Sequence, residues 1–415
     1  MAQRQFKSDD TSIWPYGFGD GSDGALTISA NTTEAPIDAS CSGTIGATSL
    51  SATNASFAAG QVILIHQTRG TGSGGWELNK IAAYSSGTIT TALALTQTYT
   101  DSGDSQAQVR VLKQYSAVTI DSAKTYTAKA WDNNVGGIIG WLCSGTTTIT
   151  GTLAMNGVAG SQYSGSTTGG GAQGIGFDGG DASRTASSNI HSYRGEGSDA
   201  ATTQTNTAGS GGGGGSTDSS QRNSGSPGGG AYAAGGQNGQ ASGNNGTGGT
   251  AYGVASLVAL HLGSGGGGGR AGAGQTVGGG GGGGGAALII SKTFTMSGAI
   301  TSNGGNGANG TTANTGDGTV TAPGGGGGSG GSVLIKAQTA TLGTNLITAA
   351  GGSGGTGLKG NGASLGNAGN GSVGRIHLDY KTSYTGTTTP TLDSTQDLAL
   401  DYHNVGASFI YQLLN

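Results

Sequence analysis

The chain has 415 residues, of which 92 are glycine and five proline, with 9% charged and 6% aromatic side chains. A glycine load of this size marks low-complexity sequence, yet charge is too sparse to hold the chain open and the 33% of hydrophobic residues gather into short β-branched runs. A net charge of −4 without a Lys/Arg cluster excludes the electrostatic footprint of a nucleic-acid binder, and no apolar stretch approaches the roughly 20 residues of a membrane helix.

Residues 1–24 are expected to form an N-terminal docking arm, with Trp14, Tyr16 and Phe18 beside a Gly/Asp-rich turn segment; the alternative is a first strand packing these rings on the domain that follows. The opening residues lack the apolar core of a signal peptide. The expectation is a chain that stays in the cytosol or leaves by assembly into a virus particle. Cys41 and Cys143 are the two cysteines, and two buried thiols are expected, because nothing points to an oxidising compartment.

Residues 25–135 have ordinary composition. Short aliphatic and β-branched runs at 26–28, 62–65, 77–81, 88–90, 93–95, 109–112 and 118–120, many separated by Gly, Ser, Asn or Asp, predict strands. They read as one small β-barrel or sandwich.

Residues 136–379 form a glycine-rich body in which one order of features recurs: glycine, strand, kink, strand, glycine. One copy begins at Gly136, a second runs through the glycine run 278–285 to Gly307, and a third begins at Gly331; half copies stand at 374–378 and 256–260. Recurrent short strands with turn-like spacers predict a stacked-strand or solenoid body. In the excursions between strands, Gly304, Gly307 and Gly310, then Gly351, Gly354, Gly357 and Gly360, fall every third residue. That period is the repeat of an extended three-residue helix without internal hydrogen bonds. Gly278, Gly285 and Gly324 bound the glycine runs of the same layers. Burial of a few aliphatic side chains per repeat does not offset the cost of ordering so much glycine. The excursions are therefore expected to be tiled, with nearly every backbone group paired. Residues 161–250 are a long loop insertion. Residues 380–415 are expected to close the fold, with a weak strand at 397–402 and a last strand, or assembly contact, at 408–414.

No catalytic residue, cofactor motif or metal motif is expected. Ser329 and Ser353 sit in G-x-S-x-G matches by chance, with glycine where a strand and a helix are needed. His66, His191, His261, His377 and His403 show no metal-ligand spacing. Asp20 with Asp23, and Asp178 with Asp181, lack the full oxygen set of a calcium loop and read as turn residues. Recognition remains. Tyr163, Phe177, His191, Tyr193, Arg194 and Tyr232 lie in polar, glycine-rich loops, where amphipathic rings suit contact with sugars or protein loops; the alternative is that each anchors its loop to the body.

The runs 278–285 and 324–328, alternating with polar loops, resemble the glycine-rich adhesins at the tail-fibre tips of T-even-type bacteriophages; bacterial glycine-rich surface proteins share the style. The likeness covers about 136–379 and is one of layout. It implies an all-β chain whose body packs polyglycine II-type helices, with loops around 177–194 and 221–232 touching a receptor. The implied protein is a non-enzymatic virion adhesin that contacts a host surface glycan or outer-surface protein. It would join other tail proteins through its N-terminal region as a homo-oligomer, with a trimer favoured. A self-assembling extracellular fibre and a polysaccharide depolymerase are the rival expectations.

Overall fold

The structure is a computed structural model that describes residues 17–165, 168–184, 192–203, 205, 208–209, 212–215, 225–241, 245–271, 275–311, 316 and 320–400. The N-terminal arm up to residue 16, His191, Gln221 and the closing segment 401–415, with its expected strand at 408–414, lie outside the described residues. Within them every regular element is a strand, so the chain is all-β as expected, and no helix is long and apolar enough to cross a membrane.

Four long strands, Ile138–Ile149, Ala286–Met296, Ser332–Thr348 and Arg375–Thr389, lie side by side and parallel. Their register sets Ile139 beside Ala287, Val333 and Ile376, and Trp141 beside Ile289, Ile335 and Leu378. Parallel strands covered on both faces need continuous apolar runs, which is why 286–290 reads Ala-Ala-Leu-Ile-Ile and every one of those residues is buried. Past their middles the strands bend. Gly151 and Gly298 stand at two of the bends, where an added Cβ would strike the Asp121 and Gly151 carbonyls, and Gly343 makes a third at φ 69°. The second pieces pair again, through Thr152–Ala154, Ala299–Thr301 and the end of Ser332–Thr348. The result is a nearly closed, barrel-like parallel sheet running from Ala25–Ile28 round to Thr32–Thr33. Its interior holds Val118, Trp141, Leu153, Phe294, Ile335 and Ile347.

A second sheet is an antiparallel half-barrel, in the order Asp38–Ser40, Gln106–Val111, Val62–Arg69, Trp76–Ser85, Thr88–Thr91, Ser49–Ser51. Leu50, Ile63, Ile65, Ile89 and Val109 fill its own core. Val62 and Leu64 point the other way, onto Leu142, Leu288 and Leu334 of the parallel sheet. Val62–Arg69 is thus buried along its whole length.

Several expectations change. The 25–135 stretch is divided: Ala25–Ile28, Lys113–Tyr115 and Ala117–Ile120 join the parallel sheet, and only the middle builds the half-barrel. Residues 26–28 and 118–120 find parallel partners in Ile138–Ile149 and its neighbours, which local pattern does not encode. Residues 93–95, 256–260 and 397–400 form turns or irregular chain; Leu257 and Leu260 are apolar because they cap the core between the two sheets. Gly357 lies in the hairpin Thr356–Lys359 with Ser364–Asn367, so the three-residue spacing stops being structural there and at Gly360. Cys41 and Cys143 are free and buried.

The glycine excursions are held by backbone bonds that rotate residue by residue. Gly278, Gly281 and Gly284 donate to the carbonyls of Pro323, Gly326 and Ser329 at 3.0, 2.9 and 2.9 Å. Gly279, Gly282 and Gly285 donate to Ser161, Val158 and Met155 at 3.0, 3.0 and 2.7 Å, and Gly280 and Gly283 to Gly180 and Phe177 at 2.9 and 2.8 Å. The carbonyls of the same run accept from the segments 263–269, 305–308 and 172–176 and, at Gly285, from Ser332. Neighbouring backbones approach so closely that a Cβ on Gly281 would collide with the Gly305 carbonyl oxygen. Asparagine seals the edge: Asn303, Asn306 and Asn309 side-chain oxygens accept from the N–H groups of Ala350, Ser353 and Thr356 at 2.8, 2.8 and 2.9 Å.

Two outcomes are expected. Gly281→Ala lowers stability by about 1–3 kcal/mol, the usual cost of overpacking, whereas Gly235→Ala, whose Cβ would sit 3.6 Å from the Gly249 oxygen, stays within about 0.5 kcal/mol of the parent; thermal or denaturant unfolding checks the pair. Amides 278–285 exchange with deuterium as slowly as those of Ala286–Met296, read by mass spectrometry of the native protein; exchange at the rate of open loops would overturn the tiling.

Candidate functional site

Of the residues singled out from sequence, Phe177 and Tyr232 are fully buried and Arg194 nearly so. Phe177 packs edge-on against Trp131 with ring centroids 6.0 Å apart. Tyr232 bonds Ser332 Oγ at 2.7 Å, stacks 4.8 Å from Tyr252 and lies under the Arg375 guanidinium at 5.3 Å. Arg194 reaches Asp199 at 3.4 Å. These three anchor their loops within the packed interior. Tyr163 and Tyr193 are half-buried: Tyr163 rests on Ala182, Ala271 and Val277, and Tyr193 is pinned through its backbone to Asp181 and Gly268. His191 lies outside the described residues. The structure therefore does not gather the set into one exposed patch.

The histidines behave as structural residues. His66 bonds the Leu260 carbonyl at 2.7 Å, and burial holds its pKa down at about 4. Burial likewise lowers His261, to about 3. His377 sets its two ring nitrogens on Asp393 and Asp379 at 2.8 and 3.0 Å. Ser329, in one chance motif, is buried and accepts from the Ser264 N–H at 2.8 Å, so it is a lattice residue. Among the described residues no group of three His, Cys, Asp or Glu is placed to hold a metal ion.

What the structure does assemble is a polar node around Glu196. This carboxylate is fully buried and pairs with Arg69 of the half-barrel. It also accepts from Trp131 Nε1 at 3.1 Å and from the Asp178 N–H at 3.0 Å. A buried carboxylate is tolerated only when so surrounded by donors. Asp178 follows Phe177 in the chain and accepts from Asn133 Nδ2 at its Oδ2 at 3.1 Å, while its Oδ1 is sealed off with no partner among the described residues. Burial first, and then the neighbouring Glu196 charge, push its carboxyl up to about 7.

Beside this node a cavity of about 410 Å³ opens, lined by Val158, Ser161, Gln173, Asp178, Asp181 and Thr202 with intervening glycine and alanine. Its walls are the segments 158–161 and 171–181, both bonded to the 278–285 run. Sequence reading named Asp178 and Asp181 only as turn acids and missed Arg69, Trp131, Gln173 and Glu196. A lone glutamate between two glycines at 195–197, in an acid-poor body, was the available signal.

No family model and no curated protein match the chain. Among solved structures it is similar to the tailspike protein gp49 from Pseudomonas phage LKA1, over 90% of this chain and 69% of that one, at 9% sequence identity and a TM-score of 0.18. A likeness this slight carries no argument about fold or function.

The raised Asp178 carboxyl gives a pH prediction. Its folded-state pKa lies above the unfolded value, so between about 4 and 7 the folded chain binds the extra proton and stability falls as pH rises. Asp178→Asn, which removes the titration and keeps an acceptor for Asn133, is expected to gain about 1–2 kcal/mol at pH 8 and nothing at pH 4, measured by denaturant unfolding at both pH values.

Proposed function

We propose that this protein is a non-enzymatic receptor-binding adhesin of a phage tail fibre or spike, carried in the virion. One observation carries the reading most: the backbone of the glycine body bonds to itself, a rigid frame suited to presenting polar segments. A rigid scaffold bearing variable polar loops is a usual way to build a binding tip. The rotation of bonding partners every residue, with return every third, supports reading the excursions as packed polyglycine II-type helices. The recurrent strand-and-excursion order supports a solenoid-like stack between them.

In this reading the host-facing contacts come from the 161–250 insertion, with Tyr163 and Tyr193 as its half-buried rings and Phe177, Arg194 and Tyr232 as the anchors beneath. The partner is a host surface glycan or outer-surface protein. The N-terminal region joins other tail proteins, and the chain assembles as a homo-oligomer, a trimer being the favoured state.

A depolymerase of surface polysaccharide is the second reading, favoured by Asp178: a carboxyl that stays protonated near neutrality beside another carboxylate is the arrangement that glycoside cleavage uses. The two separate in one experiment. Purified full-length protein, labelled and mixed with a panel of bacterial strains, is expected to bind at least one strain and to release no reducing sugar ends from its capsule or lipopolysaccharide. Release of reducing ends establishes the second reading, and failure to bind any strain removes the first.

A further inference from the structure

Resting on the receptor-binding reading, we propose that the cavity beside the 278–285 run receives a neutral sugar residue of a surface glycan, held by Asp181, Gln173, Ser161 and Thr202 over the side chain of Val158. Two observations converge. The polar ends of Gln173, Ser161 and Thr202, and Oδ2 of Asp181, have no hydrogen-bond partner among the described residues, whereas Asp181 Oδ1 is fixed by the Gly171 N–H at 3.0 Å. The backbones that carry them are immobilised: Ser161 accepts from Gly279 at 3.0 Å, Asp181 from Tyr193 at 3.1 Å, and Ala172, next to Gln173, donates to Gly280 at 3.0 Å. Free side-chain groups on a fixed frame are preorganised for a ligand.

The lining then chooses the ligand class. Val158 is 53% exposed, an unusual position for an apolar side chain in so polar a setting, and it offers a surface for the C–H face of a sugar ring. Carboxylate, carboxamide and hydroxyl groups together both donate to and accept from hydroxyls. Among the described residues no Lys, Arg or His lines the cavity, and Asp181 repels an anion. A cation is disfavoured because one of the two acids present, Asp178, spends an oxygen on Asn133 and holds its proton up to about neutral pH. At about 410 Å³ the space lies within the roughly 300–1,000 Å³ of small-ligand sites. The buried Arg69–Glu196 pair stands behind the wall and fixes the Asp178 backbone.

The test uses full-length protein, its Gln173→Ala and Asp181→Asn variants, and a panel of neutral and acidic oligosaccharides, titrated by calorimetry. Both substituted side chains are solvent-facing at the cavity, so unchanged thermal unfolding is the accompanying control. A neutral oligosaccharide is expected to bind the parent, and each variant is expected to lose about tenfold in affinity, the effect of one or two hydrogen bonds to an uncharged ligand. In parallel, parent protein is mixed with cells treated with periodate, which destroys vicinal diols, or with protease. Cell binding that survives periodate and is lost after protease overturns the sugar assignment while leaving the adhesin reading intact. Oligosaccharide binding unchanged in both variants overturns the assignment to this cavity. Absence of binding to every cell and every oligosaccharide overturns both.

Discussion

The interaction on which the structure depends is the backbone hydrogen bond made by glycine to a different neighbour at each successive residue. Gly278, Gly279 and Gly280 point their N–H groups at three separate segments, and the pattern returns at Gly281. An ordinary strand has bonding partners on two sides only and must cover its faces with side chains. A chain that bonds in three directions needs no side chains in its interior, and tolerates none. Glycine's usual liability, the entropy lost on ordering, is offset by bonds that leave few backbone groups unmade. This is how a body with so few apolar residues stays packed.

The two sheets supply what the glycine layers lack, which is hydrophobic burial. Val62 and Leu64 from the half-barrel and Leu142, Leu288 and Leu334 from the parallel sheet share one core, with Phe177, Tyr232 and Leu260 brought in from the loops. The aromatic residues of the insertion therefore act as rivets between the layers and the sheets. The Arg69–Glu196 pair does the same in polar currency, joining the half-barrel to the loop that follows the 161–184 excursion. Among the polar groups left without a partner are those facing the cavity at Asp181 and Gln173.

Much of this was legible in the sequence, and the failures have a common cause. The alternation of strand and glycine marked the four long strands, because short apolar-rich runs at 138–142, 286–290, 333–335 and 376–378 each follow closely on glycine. The three-residue spacing marked the tiling around Gly304 and Gly307. Legibility ended wherever partners are far apart in the chain. Nothing local tells that Ala25–Ile28 pairs with Ala117–Ile120 and not with the half-barrel, or that Gly357 leaves the layer for a hairpin. Whether a loop aromatic is a contact or an anchor is hidden for a related reason: Phe177 stands in a glycine-rich segment, and the ring it packs on, Trp131, is distant in sequence. The Glu196 node needed three donors from three separate stretches, none of which carries a motif.

The parallel register of Ile138 with Ala286 has a consequence for biosynthesis. At translation speeds of about 5–20 residues per second, the earlier strand leaves the ribosome well before its partner and spends on the order of 10–30 s as a naked aliphatic edge. Phe177, Tyr232 and Leu260 of the intervening tract cover part of its face meanwhile, but its open edge waits for Ala286–Met296. Such an edge recruits other nascent chains, so production of this protein in quantity favours slow growth temperatures and a holdase that shields 138–149 until the second half of the polypeptide arrives.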